Sequence, residues 1–289
     1  MSLQHATLDG TRDRLAKLPA GRPGFTFYLG THQPAWLGRL DLPLFISHRR
    51  LSGYRSLPVA RFAWALDSGA FSELSQFGRW TFGPELYVAT VRRYAAKIGR
   101  LAWAAPQDWM CEPFILAKTG LSVRDHLHRT VANYCTLLRL APELSFIPVL
   151  QGWTVNDYMR CFAMYRANGI DLTKEALVGL GSICRRQSTD EIAHVVMTLA
   201  NLSLSLHGFG VKTAGVQRYG HYLASADSLA WSFRGRHIAG CAHGPPGQLR
   251  GPRSEANCQT FALEWRERLL AACQDQVDDE HSRTLTLAA

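Results

Sequence analysis

The chain has 289 residues, of which 47% are hydrophobic, 19% charged and 10% aromatic. That is enough apolar material for one large core or two small ones, and it excludes a disordered chain. No apolar run reaches the roughly 18–20 residues of a membrane span. The opening Met1-Ser2-Leu3-Gln4-His5-Ala6-Thr7 lacks the apolar stretch of a secretory signal, and the seven cysteines are scattered singly without a CxxC pair. A soluble protein of the reducing cytoplasm is expected. Lys and Arg number 32 against 23 acidic residues, giving a net charge of +9, and 27 of those 32 are Arg. Such an excess suits a polyanionic partner, because each guanidinium can fork two hydrogen bonds onto a phosphate. A merely solvated basic surface would have the same composition.

Short β-branched or aromatic runs alternate with segments of helical period, the pattern of βα units around a parallel sheet. In chain order the predicted strands are Phe25–Leu29, Leu44–Ser47, Phe62–Leu66, Leu101–Ala105, Phe146–Leu150, Leu177–Leu180, Leu204–His207 and Tyr222–Ala226. Amphipathic helices are predicted at Pro84–Ile98, Val123–Leu140, Val155–Asn168 and Thr189–Leu199. Eight strands with helical crossovers predict an α/β fold, a TIM-like (β/α)8 barrel, made irregular by two first crossovers too short for full helices. A doubly wound sheet is the alternative, weakened because no GxGxxG follows the first strand. The expected domains are a lead-in over 1–24, the catalytic barrel over 25–235, a small C-terminal subdomain over 236–272 and a flexible tail over 273–289. The only Pro/Gly-rich stretch, Gly244 to Pro252, falls inside that subdomain.

The ends of the strands carry the functional signal. Six in succession run into polar, glycine-rich or aromatic residues: Asp67-Ser68-Gly69-Ala70-Phe71, Pro106-Gln107-Asp108-Trp109, Gln151-Gly152-Trp153, Gly179-Leu180-Gly181-Ser182, Gly208-Phe209-Gly210-Val211-Lys212 and Ser225-Ala226-Asp227-Ser228. In a barrel these converge on the C-terminal mouth, where reacting groups lie. Asp67, Asp108 and Asp227 would then face one pocket, although each alone also reads as a turn or cap residue. No dense His cluster accompanies them. The one HxH, His126-Leu127-His128, sits in a predicted helix and is expected to be a surface pair.

Paired carboxylates without a metal or organic cofactor suit an oxocarbenium-like reaction at an anomeric carbon, one as nucleophile and the other moving protons. Phe71, Trp109, Trp153 and Phe209 beside them suit a planar substrate, since stacking on a nucleobase is worth about 1–3 kcal/mol. Asp108, Gln151 and the Gly179–Gly181 backbone would meet the base edge. Trp64 and Trp103 are expected to fill the top of the barrel.

These segments, in order and spacing, resemble the tRNA-guanine transglycosylase superfamily. FYLGTHQPAWL, ALDSGAFSEL, APQDWMCEP, PVLQGW, LVGLGSICRRQ, LHGFGVK and SADSLAWS look most like its compact DpdA-type branch, over roughly residues 25 to 270. The resemblance implies exchange of guanine in nucleic acid, DNA rather than tRNA, for a 7-deazaguanine base such as 7-cyano-7-deazaguanine. It implies Asp227 as the nucleophile that holds the sugar, Asp67 as general acid/base, Asp108, Gln151, Gly179 and Gly181 at the base edge, and Phe71 and Phe209 sandwiching the ring. Helper proteins of a DNA-modification system are implied as partners. Arg185, Arg186 and Lys212 are the candidate phosphate ligands, with His48, Arg49 and Arg50 as second candidates.

The resemblance also implies a structural zinc after the last strands. Cys241, His243 and Cys258 supply three ligands, and Glu255, His237 and the remote Cys273 compete for the fourth place. Cys111, Cys135, Cys161 and Cys184 read as buried fillers. The helix after Cys258 is expected to end near Leu270. Three other functions stay open: the same chemistry on tRNA or a free nucleoside or nucleotide, a barrel lyase using Lys212 as a Schiff-base amine, and a non-catalytic nucleic-acid-binding barrel.

Overall fold

A computed structural model describes residues 24–243 and 254–287. The lead-in and the Gly244–Pro252 stretch lie outside the described residues, apart from Gly24. Eight strands form one parallel sheet: β1 Thr26–Gly30, β2 Leu44–Ser47, β3 Trp64–Asp67, β4 Leu101–Ala104, β5 Val149–Leu150, β6 Val178–Leu180, β7 Leu206–Gly208 and β8 Ser225–Ser228. Their spatial order is β4-β3-β2-β1-β8-β7-β6-β5. The ring closes between the outer two through a single parallel bridge, Ala104 to Phe146. The predicted TIM-like barrel is therefore present, and β5 is its weakest staple.

The irregular first half is also present. A 3-10 turn, Pro34–Gly38, joins β1 to β2, and a single helical turn, α1 (His48–Leu51), follows β2. The remaining helices are α2 Ala70–Phe77, α3 Pro84–Ile98, α4 Pro113–Thr119, α5 Val123–Leu140, α6 Val155–Ala167, α7 Asp190–Ala200, α8 Thr213–Tyr219, α9 Ala230–Gly235 and α10 Gln259–Leu287. Local chemistry sets their limits. Proline opens α3 and α4, where its missing N–H is no loss. Ser122 with Asp125, and Thr154 with Asp157, form reciprocal capping boxes at α5 and α6. The backbone of α10 runs to Leu287, well past the expected Leu270.

The period of two along each strand sorts side chains into two layers. Phe27, Leu29, Leu44, Ile46, Leu66 and Ala226 face outward into the large core under the helices. Tyr28, Phe45, Ala65, Trp103, Ala105, Ile147 and Leu177 face inward and fill the barrel. Trp64 departs from expectation: it belongs to the outer core, and its indole N–H donates to the Gly99 carbonyl at 2.7 Å. Its neighbour Ala65 takes the inward place. Inside, the Trp103 Nε1–H donates to Tyr28 Oη at 3.0 Å, and burial pushes the Tyr28 phenol up to about 12. Cys111 and Cys161 are fully buried as expected, whereas Cys135 and Cys184 are only half-buried.

His126 reverses the reading of the HxH as a surface pair. It is fully buried, edge-on to Trp109, with Nδ1 2.6 Å from the Met110 carbonyl and Nε2 2.8 Å from Thr119 Oγ1. The imidazole thus ties α5 to the loop after β4, and only His128 is exposed.

The β8–β1 seam is tight enough to test. Trp231 on α9 stacks on Trp36 at 5.5 Å and donates to the Gly30 carbonyl at 2.8 Å. Trp231→Ala should lower unfolding free energy by about 3–5 kcal/mol in urea titrations, while Trp231→Phe, which keeps the stack, should cost less.

Candidate active site

The inward positions continue upward from the packed interior and change chemistry at the mouth. Asp67 stands two residues after Ala65, Gln151 two after Val149, Gly181 two after Gly179, and Asp227 two after Ser225. Strand alternation alone therefore points these groups into the barrel. Beneath them lies an aromatic floor: Phe209 and Trp103 pack edge-on against His207 at 4.8 and 4.7 Å, with Phe45 at 6.0 Å.

Asp67 accepts the Gly69 N–H at 3.1 Å. Gly69 has φ 86°, and a Cβ there would lie 3.1 Å from Arg49 Cγ, so a side chain would strain the turn that starts α2. Burial raises the Asp67 carboxyl; hydrogen bonds from Gly69 and Ser47 oppose this, and charge on Asp227 raises it further. Asp227 itself accepts the Gly210 N–H at 3.0 Å and meets His207 Nε2 at 3.3 Å. Burial lowers the His207 pKa despite its bond to Asp227. A neutral ring is satisfied if Nε2–H donates to Asp227 and Nδ1 accepts from Ser225 Oγ at 2.8 Å.

The base-edge candidates form one buried chain. Gln151 Nε2 donates to Asp108 Oδ2, and Ser182 Oγ lies 2.7 Å from Gln151 Oε1 and 2.9 Å from Glu112 Oε2. The Cys111 N–H donates to the same hydroxyl at 2.8 Å. One hydroxyl has one proton, so the chain is saturated when a protonated Glu112 donates to Ser182 and Ser182 donates to Gln151. Burial drives both acids that way: it raises Glu112, and it raises Asp108 to about 7, opposed by Gln151 and reinforced by Asp67. Ser182 is held at φ 56°, an unusual conformation for a residue with a side chain.

The two glycines of β6 and its loop serve close approach. A Cβ at Gly179 would lie 2.5 Å from Phe209, and one at Gly181 would lie 2.2 Å from Gln151 Nε2. Bare backbone is what lets Phe209 and Gln151 lie across this strand.

The remaining candidates are not gathered there. Phe71 is 43% exposed and packs with Phe114 and Arg185, whose guanidinium lies 5.4 and 4.6 Å from the two rings. Arg186 is already engaged, stacked on Trp153 at 3.6 Å and bonded to Glu191 and the Trp153 carbonyl. Lys212 precedes α8 and lines an outer cavity of about 290 Å³ with Ala230, Phe233, Arg234 and Trp265. Among the second candidates, His48 is buried 3.3 Å from Tyr94 Oη, and Arg49 donates to Gln76 at 3.0 Å.

Sequence reasoning missed His207, Ser182 and Glu112. Each stood within a quoted segment, but only the folded register reveals its partner.

The C-terminal ligand candidates do meet. Single donor atoms of Cys241, His243, Glu255 and Cys258 all lie within 4.8 Å of one another. Glu255 is thus the fourth member of the group, while His237 packs on Phe233 and Cys273 lies buried elsewhere in the core. His243 Nε2 lies 3.2 Å from Glu264 Oε1 on α10, leaving Nδ1 toward the other three groups. This group could hold a metal ion.

Residues 25–289 match the family described as DpdA, DeoxyPurine in DNA protein A. The chain belongs to this family. Among solved structures, the chain is similar to a proposed isomerase from Sinorhizobium meliloti in an open-loop conformation, with 12% identity and a TM-score of 0.35. The match covers 74% of this chain and 55% of that one, so this chain spans about half the isomerase's length. No curated protein matches. None of the described helices is long and apolar enough to cross a membrane.

The raised Asp108 gives a stability prediction. A carboxyl near pKa 7 in the fold and about 3.8 unfolded keeps its proton while the unfolded chain loses one, so stability falls as pH rises between those values. Asp108→Asn removes that term. Its melting temperature should exceed the wild type's at pH 8 by more than at pH 5, with a gain of up to about 4 kcal/mol. An equal offset at both pH values would contradict the buried-acid reading.

Proposed function

We propose that this DpdA protein exchanges guanine in DNA for a 7-deazaguanine base such as 7-cyano-7-deazaguanine, through an ester between Asp227 and the sugar. A carboxylate Oδ of Asp227 attacks C1′ as the C1′–N bond to guanine breaks. The departing base takes the bond pair and a proton from Asp67. Asp67, now ionised, accepts the ring N–H proton of the incoming deazapurine. That nitrogen then attacks C1′ and frees Asp227. Atoms and charge balance, and no redox partner is needed.

The observation that carries this reading is the unequal environment of the two aspartates. Asp67 is driven by burial toward its protonated form, as a general acid must be near neutral pH. Asp227 faces the Gly210 N–H and His207, donors that suit an anionic nucleophile. Asp108 and Gln151 supply an acceptor and an amide at a flipped base's edge, with Phe209 below it and Phe71 at the outer rim. Arg185 is the favoured backbone contact of the three phosphate candidates, because Arg186 is paired with Glu191 and Lys212 lines the outer cavity. Helper proteins of a DNA-modification system would present the strand.

Exchange of labelled guanine or deazapurine into DNA, tRNA and free nucleotide tests this. Wild type should label DNA. Asp227→Ala should abolish both labelling and the trapped adduct, and Asp67→Asn should lower kcat by about 10²–10⁴-fold. Near-normal turnover by Asp227→Ala would remove the nucleophile assignment.

The metal proposed for Cys241, His243, Glu255 and Cys258 is zinc in a structural role. Two thiols, an imidazole and a carboxylate are donors that zinc accepts, and four protein ligands leave no open position. The ion would lock the segment after α9 to the start of α10. Purified protein should carry about one zinc per chain by elemental analysis. Chelation or Cys258→Ser should lower the melting temperature while leaving the barrel's circular dichroism in place.

A further inference from the structure

A second built cavity, of about 360 Å³, opens over the ends of three adjacent strands, β2, β1 and β8. Its wall combines His32 and Gln33 after β1, Arg50 on α1 after β2, Ser232 and Arg236 at α9 after β8, and Asn257. No Asp or Glu among the described residues lines it. Among the described residues, neither the Arg50 nor the Arg236 guanidinium has a hydrogen bond or ion pair, unlike Arg49 and Arg186. His32 Nε2 is buried and has no hydrogen-bond partner among the described residues. Two unpaired cations and an unused ring nitrogen around one recess make an anion cradle, because each fork can take two oxygens.

We propose that this cavity binds a phosphodiester of the substrate strand beside the nucleotide whose base is exchanged, with Arg50 and Arg236 gripping its oxygens and His32 donating a third hydrogen bond. The inference rests on the transglycosylase reading for its substrate, and it joins Arg50, a second candidate for phosphate contact, to Arg236 and His32 in one site. β8 links the two sites: its Asp227 points into the barrel, and α9, which follows it directly, carries the cavity wall. Burial together with the charges of Arg50 and Arg236 lowers the His32 pKa to about 4, so the ring adds a hydrogen bond without a charge of its own. A mononucleotide's phosphate monoester offers the same oxygens, so the test must separate polymer from free nucleotide.

The measurement is fluorescence anisotropy with a labelled single strand of about 15 nucleotides, at several salt concentrations. The proteins are wild type, Arg50→Gln/Arg236→Gln, Arg50→Lys/Arg236→Lys and His32→Ala. Both arginines are exposed, so the fold should survive their change. The glutamine pair should bind about tenfold more weakly or worse, with a salt slope shallower by about 0.7 for each phosphate no longer neutralised. The lysine pair should keep the slope and recover part of the affinity, and His32→Ala should weaken binding without changing the slope. Exchange assays should show a higher KM for DNA at unchanged kcat. Unchanged affinity and slope in the glutamine pair would overturn the proposal. So would a glutamine pair that loses competition by dGMP or inorganic phosphate yet binds the oligonucleotide normally, since the cavity would then serve a monoester. If wild type exchanges no base into any acceptor, the transglycosylase reading fails, while the anisotropy result still decides the cavity.

Discussion

The upper barrel depends on keeping several carboxyl groups out of water without letting them repel the fold apart. Asp67, Asp108 and Glu112 are each driven toward the neutral form by burial, and Asp67 adds to the shift at Asp108. What holds the array is the run of hydrogen bonds from Glu112 through Ser182 and Gln151 to Asp108. Partly satisfied, such a chain would cost more than an apolar core; fully satisfied, it fixes Gln151 and Asp108 in one arrangement. Order in the Gln151–Asp108 pair and the upward shift at Asp67 then arise from the same burial.

Much of this was legible in the sequence. The alternation of short apolar runs with amphipathic segments gave the barrel, and the short spacing before residue 64 gave its irregular start. The polar ends of the strands pointed to the mouth because strand period is insensitive to errors of a residue or two in the limits. Those limits did shift: Tyr222 belongs to a 3-10 turn before β8, and the fifth strand shrinks to Val149–Leu150 with one bridge at Phe146. In both places proline, glycine or a bend redirected a run whose composition read as extended.

What was not legible depends on partners distant in the chain. His126 looked like half of an exposed pair because neighbours two apart diverge on a helix. Nothing local said that the carbonyl of Met110 and the hydroxyl of Thr119 would enclose it. Ser182 and Glu112 are 70 residues apart, and their bond exists only through barrel closure. Trp64 and Trp103 have similar apolar surroundings in sequence, yet opposite strand parity sends one into the barrel and the other under the helices. The arginines divide in the same way, because whether a guanidinium is spent on Glu191 or left bare is a matter of tertiary neighbours.

The Cys–His–Glu–Cys group has an architectural consequence beyond any ion it takes. Its four members come from both flanks of residues 244–253, two before and two after. Cys241, Ala242 and His243 all reach Glu255 directly, so the two flanks meet through contacts made by the described residues themselves. The clasp therefore ties the start of α10 to the segment that follows the barrel's last helix through contacts of its own, independently of the chain that joins them.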